Sequence, residues 1–278
     1  MKQEKKIGIL GAGVMGEALV SGILRARLVP SSHLVVSDVR RAPLGNLRKK
    51  YNVHVAGDNA ELVSACARVV FCVKPQDLPG VLREVSSAFT PQKLLVSIAA
   101  GIPVSFFERC LPEGVPVVRV MPNTPCQVGS GVSVLCGGAH AHPHHLSEAA
   151  EIFNCVGTTH LSHEKHLNAV TALSGSGPAY VFLFLESLTD AGVRVGLPRD
   201  LAYELALRTT HGSCELLKQT GLSPKELRDR VTSPGGTTIQ ALSVLEKAGF
   251  RGFMMEAVVE AAQRAKELEE EAMLQVKS

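Results

Sequence analysis

The chain carries almost no excess of charge. Among its 278 residues, 29 Lys and Arg face 26 Asp and Glu, a formal net charge of +3. That is too little to draw in nucleic acid or an anionic membrane surface. No C-x-x-C pair occurs: Cys66, Cys72, Cys110, Cys126, Cys136, Cys155 and Cys214 are scattered and odd in number. They read as reduced, mostly buried thiols of a cytoplasmic protein. No signal peptide fits, because the charged Met1-Lys2-Gln3-Glu4-Lys5-Lys6 leads straight into an apolar run. Long repeats and low-complexity linkers are missing too. Residues 167–185 carry no charge and have the length of a membrane span, but they include Asn168, Thr171, Ser174, Gly175, Ser176, Gly177 and Pro178. A buried helix, broken or kinked at the Gly/Pro cluster, is the better reading. The remaining composition, 45% hydrophobic and 20% charged, is that of a globular protein with one large or two ordinary domains.

What is present is strongly patterned. Short apolar runs near 7–10, 34–37, 53–56, 69–73, 94–98, 117–120 and 132–135 read as strands. Helical stretches near 16–26, 45–51, 59–65, 77–87, 104–109 and 144–155 alternate with them. Beyond about residue 161 only helices are expected, near 164–173, 178–195, 200–219, 224–229, 237–248 and 253–271. Pro198, Pro224 and Pro234 stand at or just before helix starts, where proline is tolerated. The expected class is α/β. An N-terminal Rossmann-type, doubly wound, mostly parallel sheet covers residues 1–162, and an all-α domain for dimerisation and substrate binding covers 163–278. The role of that second domain is an analogy with two-domain α/β enzymes. The acidic tail Glu267-Leu268-Glu269-Glu270-Glu271 reads as a solvated, fraying helix end.

The first strand runs into Gly11-Ala12-Gly13-Val14-Met15-Gly16. Gly11 permits a tight turn, Gly13 clears the way for a pyrophosphate, and Gly16 lets the next helix sit close on the strand. The helix would aim its free N–H groups at the phosphates. Asp38, at the end of the second strand, stands where an acid binds the ribose 2′-hydroxyl of NADH. Ser37 with Arg40 and Arg41 argues instead for the 2′-phosphate of NADPH. The two arginines tip the expectation to NADPH, with NADH nearly level.

A second cluster lies in Val231-Thr232-Ser233-Pro234-Gly235-Gly236-Thr237-Thr238-Ile239. Two glycines before a helix free backbone N–H groups, and Ser233, Thr237 and Thr238 add hydroxyls, making a compact anion site. A plain turn with an N-cap is the alternative. Together with Val73-Lys74-Pro75, Ser97-Ile98-Ala99-Ala100-Gly101, Met121-Pro122-Asn123-Thr124-Pro125 and Leu173-Ser174-Gly175-Ser176-Gly177-Pro178-Ala179-Tyr180, these blocks resemble the pyrroline-5-carboxylate reductases in order and spacing from about residue 6 to 270.

The resemblance implies NAD(P)H-dependent reduction of the cyclic imine pyrroline-5-carboxylate to L-proline. It implies that Ser233, Gly236 and Thr237 hold the substrate carboxylate and Thr238 the ring nitrogen, and that Glu164 contacts the product. It sets Lys74, flanked by Val73 and Pro75, beside the nicotinamide half of the cofactor, and Asn59 near the adenosine. Ala99, Ala100 and Gly101 would let backbone approach the cofactor, and Asn123 would line the crevice. It further implies a homodimer built into larger rings, with the substrate site between the domains and open to residues of a partner subunit. Taken alone, Lys74 is equally a lysine snorkelling from a strand end, Asn59 a helix N-cap, Asn123 an Asx-turn and Glu164 a solvated charge. Arg230 stands where other family members carry Asn or Met. No metal site is expected, since His140, His142, His144 and His145 lack a carboxylate or cysteine at ligand spacing. Cys126 reads as a buried inert thiol. Two other functions share the layout: a β-hydroxyacid or 6-phosphogluconate-type dehydrogenase, for which Lys165 is out of context, and a nucleotide sensor, which has no need of the 233–238 turn.

Overall fold

The computed structural model describes residues 6–275. The elements in order are β1 (Ile7–Leu10), α1 (Val14–Arg25), β2 (Leu34–Ser37), α2 (Arg41–Tyr51), β3 (His54–Val55), α3 (Asn59–Ala65), β4 (Arg68–Phe71), α4 (Leu78–Val85), β5 (Leu94–Ser97) and α5 (Val104–Cys110). Then come β6 (Val117–Met121), β7 (Gly131–Gly137), α6 (Pro143–Asn154), β8 (Gly157–Leu161), α7 (Leu167–Val170), α8 (Gly177–Arg194), α9 (Arg199–Thr220), α10 (Pro224–Arg230), α11 (Thr237–Lys247) and α12 (Phe250–Gln275).

Contacts gather these into two compact units, one running to Ser176 and resuming at Glu260, the other Gly177–Val259. The first contains an eight-stranded sheet in the order β3-β2-β1-β4-β5-β6-β7-β8. All neighbours are parallel except β6 and β7. Strands covered on both faces are continuous apolar runs, which is why β1, β2, β4 and β5 are buried at every residue. Alternate side chains serve opposite faces. Leu10, Val35, Val69 and Phe71 join α3, α4 and α5 in one core, while Ile7, Ile9, Val36 and Val70 join α1, α2 and α6 in the other.

Three expectations are corrected here. An eighth strand, β8, extends the sheet; it is half-exposed Gly-Thr-Thr-His-Leu and has no apolar run to announce it. The tail is not a fraying end. α12 continues to Gln275, Ala272 is buried in the first unit's core, and the Glu269 carboxylate accepts a hydrogen bond from Asn168 at 2.8 Å. The segment 167–185 does break at its glycines, into α7, a π-helical turn at Thr171–Gly175 and then α8, but α8 is not buried within the chain. Phe182 and Leu183 are each 65% exposed.

In the second unit α8 and α9 form an antiparallel pair through small residues. A Cβ on Gly192 would stand 2.8 Å from that of Ala202, and Thr189, Ala202 and Ala206 are the buried residues of the pair. The connection turns at Gly196 (φ +99°) and enters α9 through Pro198. Among the described residues no helix is long and apolar enough to cross a membrane.

Candidate active site

The order β3-β2-β1-β4-β5-β6 reverses direction between β1 and β4, and ligands of such sheets sit at the carboxyl ends of the strands flanking that point. The glycine loop lies there. Gly11 has φ +107°, and a Cβ on it would meet the Cys72 carbonyl oxygen at 2.6 Å. A Cβ on Gly16 would strike the Gly11 carbonyl, so glycine at 16 sets how closely α1 approaches the strand end. Gly13 is open: the nearest atom to a Cβ there is on the Arg40 guanidinium, 3.8 Å away. Gly13 is also the N-cap of α1 with no side-chain cap, and Val14 in the first turn is 63% exposed. An uncapped helix N-terminus behind a glycine without neighbours is a cradle for a phosphate.

On the β2 side a cleft of about 410 Å³ is lined by Ser37, Asp38, Arg41, Gly57, Asn59 and Glu84, among others. Asn59 is buried and bridges its floor. Its carbonyl oxygen accepts from the Ser37 hydroxyl at 2.6 Å, and its amide donates to Glu84 at 2.8 Å. Asn59 is therefore not an N-cap; Asp58 caps α3, accepting from the Glu61 N–H. Asp38 does not face an open ribose site unencumbered. Its carboxylate accepts from the Ala12 N–H at 2.8 Å and from the Arg40 backbone N–H, Nε and guanidinium at 2.8–3.0 Å. Partial burial opposes ionisation, but those bonds from Arg40 and Ala12 hold the carboxyl below its ordinary value. The Ala12 N–H is thus engaged with Asp38, and Arg40 is paired. Arg41, at the first position of α2, is the cation that lines this cleft; Arg40 does not.

On the β4 side, Val73 and Pro75 are half-buried and Lys74 is exposed just past the strand end. Ala99 and Gly101 are buried in the loop after β5, where the Ala99 N–H donates to the Ser97 hydroxyl at 3.2 Å. The Asn123 side-chain oxygen accepts from the Val132 N–H at 3.0 Å, closing the turn into β7. Glu164 is not a solvated charge. It accepts from the Val104 N–H at 2.7 Å and pairs at 3.0 Å with Arg119, which is 3% exposed and stands 3.7 Å from Glu269. Sequence reasoning passed over Arg119, Glu84 and Glu269. A lone arginine inside Val117-Val118-Arg119-Val120 was the available signal for the first. The thiols are quiet: burial pushes Cys72 and Cys136 up to about 12 and Cys66 to about 11. Cys126 is buried as well. Among the described residues no group of three or more His, Cys, Asp or Glu is placed to hold a metal ion.

The second unit holds the other cluster. Gly235 (φ +68°) turns the chain, the Gly236 N–H donates to the Ser233 carbonyl at 3.1 Å, and Gly236 is the N-cap of α11. Glycine has no side chain with which to cap the helix, so the first N–H groups of α11 receive no cap from their N-cap residue. Ser233 and Thr237 are exposed and Thr238 half-buried, grouped at an eleven-residue helix N-terminus. Arg230 ends α10 just before this turn.

Comparison with known proteins bears on both clusters. Residues 164–268 match the family model for pyrroline-5-carboxylate reductase dimerisation, and residues 6–101 match that of coenzyme F420-dependent NADP oxidoreductases. The pyrroline-5-carboxylate reductase of Methanosarcina acetivorans is 43% identical over 266 residues, 96% of this chain and 98% of its own length. The chain belongs to the pyrroline-5-carboxylate reductase family. The solved reductases of Plasmodium falciparum, which has NADP bound, and of Coxiella burnetii superpose with TM-scores of 0.87 and 0.89 at 36% and 33% identity. They cover 96% and 95% of this chain, and 99% and 98% of their own lengths. Family membership thus spans the glycine loop, the Ala99-Ala100-Gly101 loop and the Ser233–Thr238 turn in a single alignment-length match.

Proposed function

We propose that this chain reduces 1-pyrroline-5-carboxylate to L-proline with NADPH as electron donor, the last step of proline synthesis. What carries the reading is likeness over nearly the whole length to enzymes of that name, in a chain that keeps both the dinucleotide cradle and the hydroxyl turn. The residues present fit a dinucleotide: an open Gly13, an uncapped α1 and a cleft of adenosine size. NADPH, when bound, supplies the hydride. Gly11, Gly13, Val14, Met15 and Gly16 hold its pyrophosphate at the start of α1. Ser37, Asn59 and Arg41 serve the adenosine half, with Asp38 and Arg40 as the paired support behind them. Val73, Lys74, Pro75 and Ala99, Ala100 and Gly101 position the nicotinamide half, with Asn123 shaping the next turn.

Thr238 and Lys74 are the candidate catalytic residues. The Thr237 N–H and the Ser233 hydroxyl bind the substrate carboxylate, Gly236 contributes a turn that leaves that hydroxyl open while its own N–H is held by the Ser233 carbonyl, and the Thr238 hydroxyl hydrogen-bonds the ring nitrogen. That nitrogen enters protonated. As its C=N carbon gains hydride, the π electrons settle on nitrogen, which keeps its proton, so no dedicated general acid is needed. Residues 1–162 act as the dinucleotide domain and 163–278 as the substrate and dimerisation domain of a homodimer, built into a higher oligomer in the cytoplasm, although the segment up to Ser176 and the described turns of α12 from Glu260 on pack with the dinucleotide unit.

The test follows NADPH and then NADH absorbance with pyrroline-5-carboxylate. Imine-dependent oxidation, faster with NADPH, is expected. Dinucleotide binding without oxidation would favour a sensing protein instead.

A further inference from the structure

We infer that the last turns of α12 position the Ala99-Ala100-Gly101 loop, so that Leu268 and Glu269 set cofactor affinity without touching the cofactor. The inference rests on the reading of that loop as a nicotinamide-side contact.

The loop leaves β5 and enters α5, and α12 reaches its centre and its α5 end. At the centre Gly101 has φ +70°, and a Cβ built there would lie 3.0 Å from the Leu268 Cβ and 3.5 Å from its carbonyl carbon. Leu268 and the helix backbone therefore lie against the loop, and the positive φ together with the tight Leu268 contact favours glycine at 101. At the far end the Val104 N–H, first of α5, donates to Glu164. Glu164 shares the buried Arg119 guanidinium with Glu269, at 3.0 and 3.7 Å. Glu269 also accepts from the Asn168 amide. One turn on, the Ser105 hydroxyl of α5 meets the Met273 sulfur at 3.8 Å, and Ala272 is buried in the core that holds Ala99 and Ile102. A chain of packed and hydrogen-bonded groups thus runs from α12 to the centre and the α5 flank of a loop whose Ala99, Ala100 and Gly101 have little side chain of their own. A loop of small residues against a ligand owes its geometry to such backing. A displacement of about 1 Å at a reacting centre can cost two orders of magnitude.

The test compares full-length wild type with Leu268→Ala, Glu269→Gln and the double variant Leu268→Ala/Glu269→Ala. None of these substitutions places a helix breaker in α12, and the two single variants serve if the double one fails to fold. NADPH Kd is measured by fluorescence titration, and amide exchange by mass spectrometry over 98–104 and, as control, over 34–38 and 54–59. The expected result is faster exchange over 98–104 alone, with Kd raised about five- to tenfold in the double variant and less in each single one. Unchanged exchange over 98–104 in all variants would show that α12 does not hold the loop. Faster exchange there with Kd within about twofold of wild type would show that the loop is not a cofactor contact. Either result overturns the inference. If wild type binds NADPH but fails to oxidise it with pyrroline-5-carboxylate, the proposed reaction falls while the affinity comparison still decides this point.

Discussion

Ser233 and Thr238 are, at the residue scale, the sharpest place to test the proposed substrate chemistry. Removing one hydroxyl from a site built to hydrogen-bond its ligand leaves a polar partner unpaired. Thr238→Ala and Ser233→Ala should each lower kcat/KM for the imine about 10- to 100-fold, with NADPH Kd unchanged, as steady-state kinetics and titration would show. Arg41 is the next position. Arg40 is paired to Asp38, which leaves Arg41, lining the cleft, as the cation that the proposed 2′-phosphate contact depends on. Arg41→Ala should raise KM for NADPH about tenfold while that for NADH moves less than about twofold. Asp38 has a pH consequence. Its folded carboxyl titrates below the ordinary 3.8, so its bonds stabilise the fold above that value, and the contribution is lost as pH falls through the lowered one. Melting temperature between pH 5 and pH 3 should therefore fall more steeply for wild type than for Asp38→Asn. The conflict between an acid and two arginines was visible in Ser37-Asp38-Val39-Arg40-Arg41, but its resolution was not. Which arginine pairs depends on side-chain directions that spacing alone does not set.

Helix ends decide much at the scale of elements. Lys93 lies outside α3 in sequence, yet its ammonium donates to the carbonyls of Val63, Ser64 and Cys66 at 2.7–2.9 Å, at the C-terminal end of that helix. A cation placed on carbonyls that a helix leaves unpaired is favourable, and its loss strands them. Lys93→Met should destabilise by about 1–2 kcal/mol, read as a lower midpoint in urea with unchanged m. Seven of the eight strands were legible as apolar runs, most plainly β1, β2, β4 and β5, where burial on both faces leaves little room for polar residues. β8 escaped because its half-exposed Gly-Thr-Thr-His-Leu carries no apolar run, whereas β3, at the other edge, lies between the apolar Val53 and Ala56. The 167–185 segment was legible as broken at its glycines, but its exposure was not. Apolar side chains signal burial without saying against what.

That question belongs to the whole molecule. The second unit leaves Phe182, Leu183, Leu201, Tyr203, Phe253, Met255 and Val259 exposed in a single chain, far more apolar surface than a monomer usually shows. Phe182→Glu with Phe253→Glu should convert a homodimer to monomer in sedimentation and abolish most activity; a dimer retained in the variant would place the interface elsewhere. Local chemistry was sufficient, without coordinates, for the class of fold and both clusters. Glycine spacing, a strand before a helix, and hydroxyls beside Pro-Gly-Gly act over a few residues, and short-range sterics and hydrogen bonding write themselves into neighbouring positions. Long-range partners leave no such trace. Asp38 holding Ala12, Glu164 and Glu269 sharing Arg119, and Leu268 against Gly101 join residues far apart in the chain. Only the folding of the chain brings them within hydrogen-bonding and van der Waals reach.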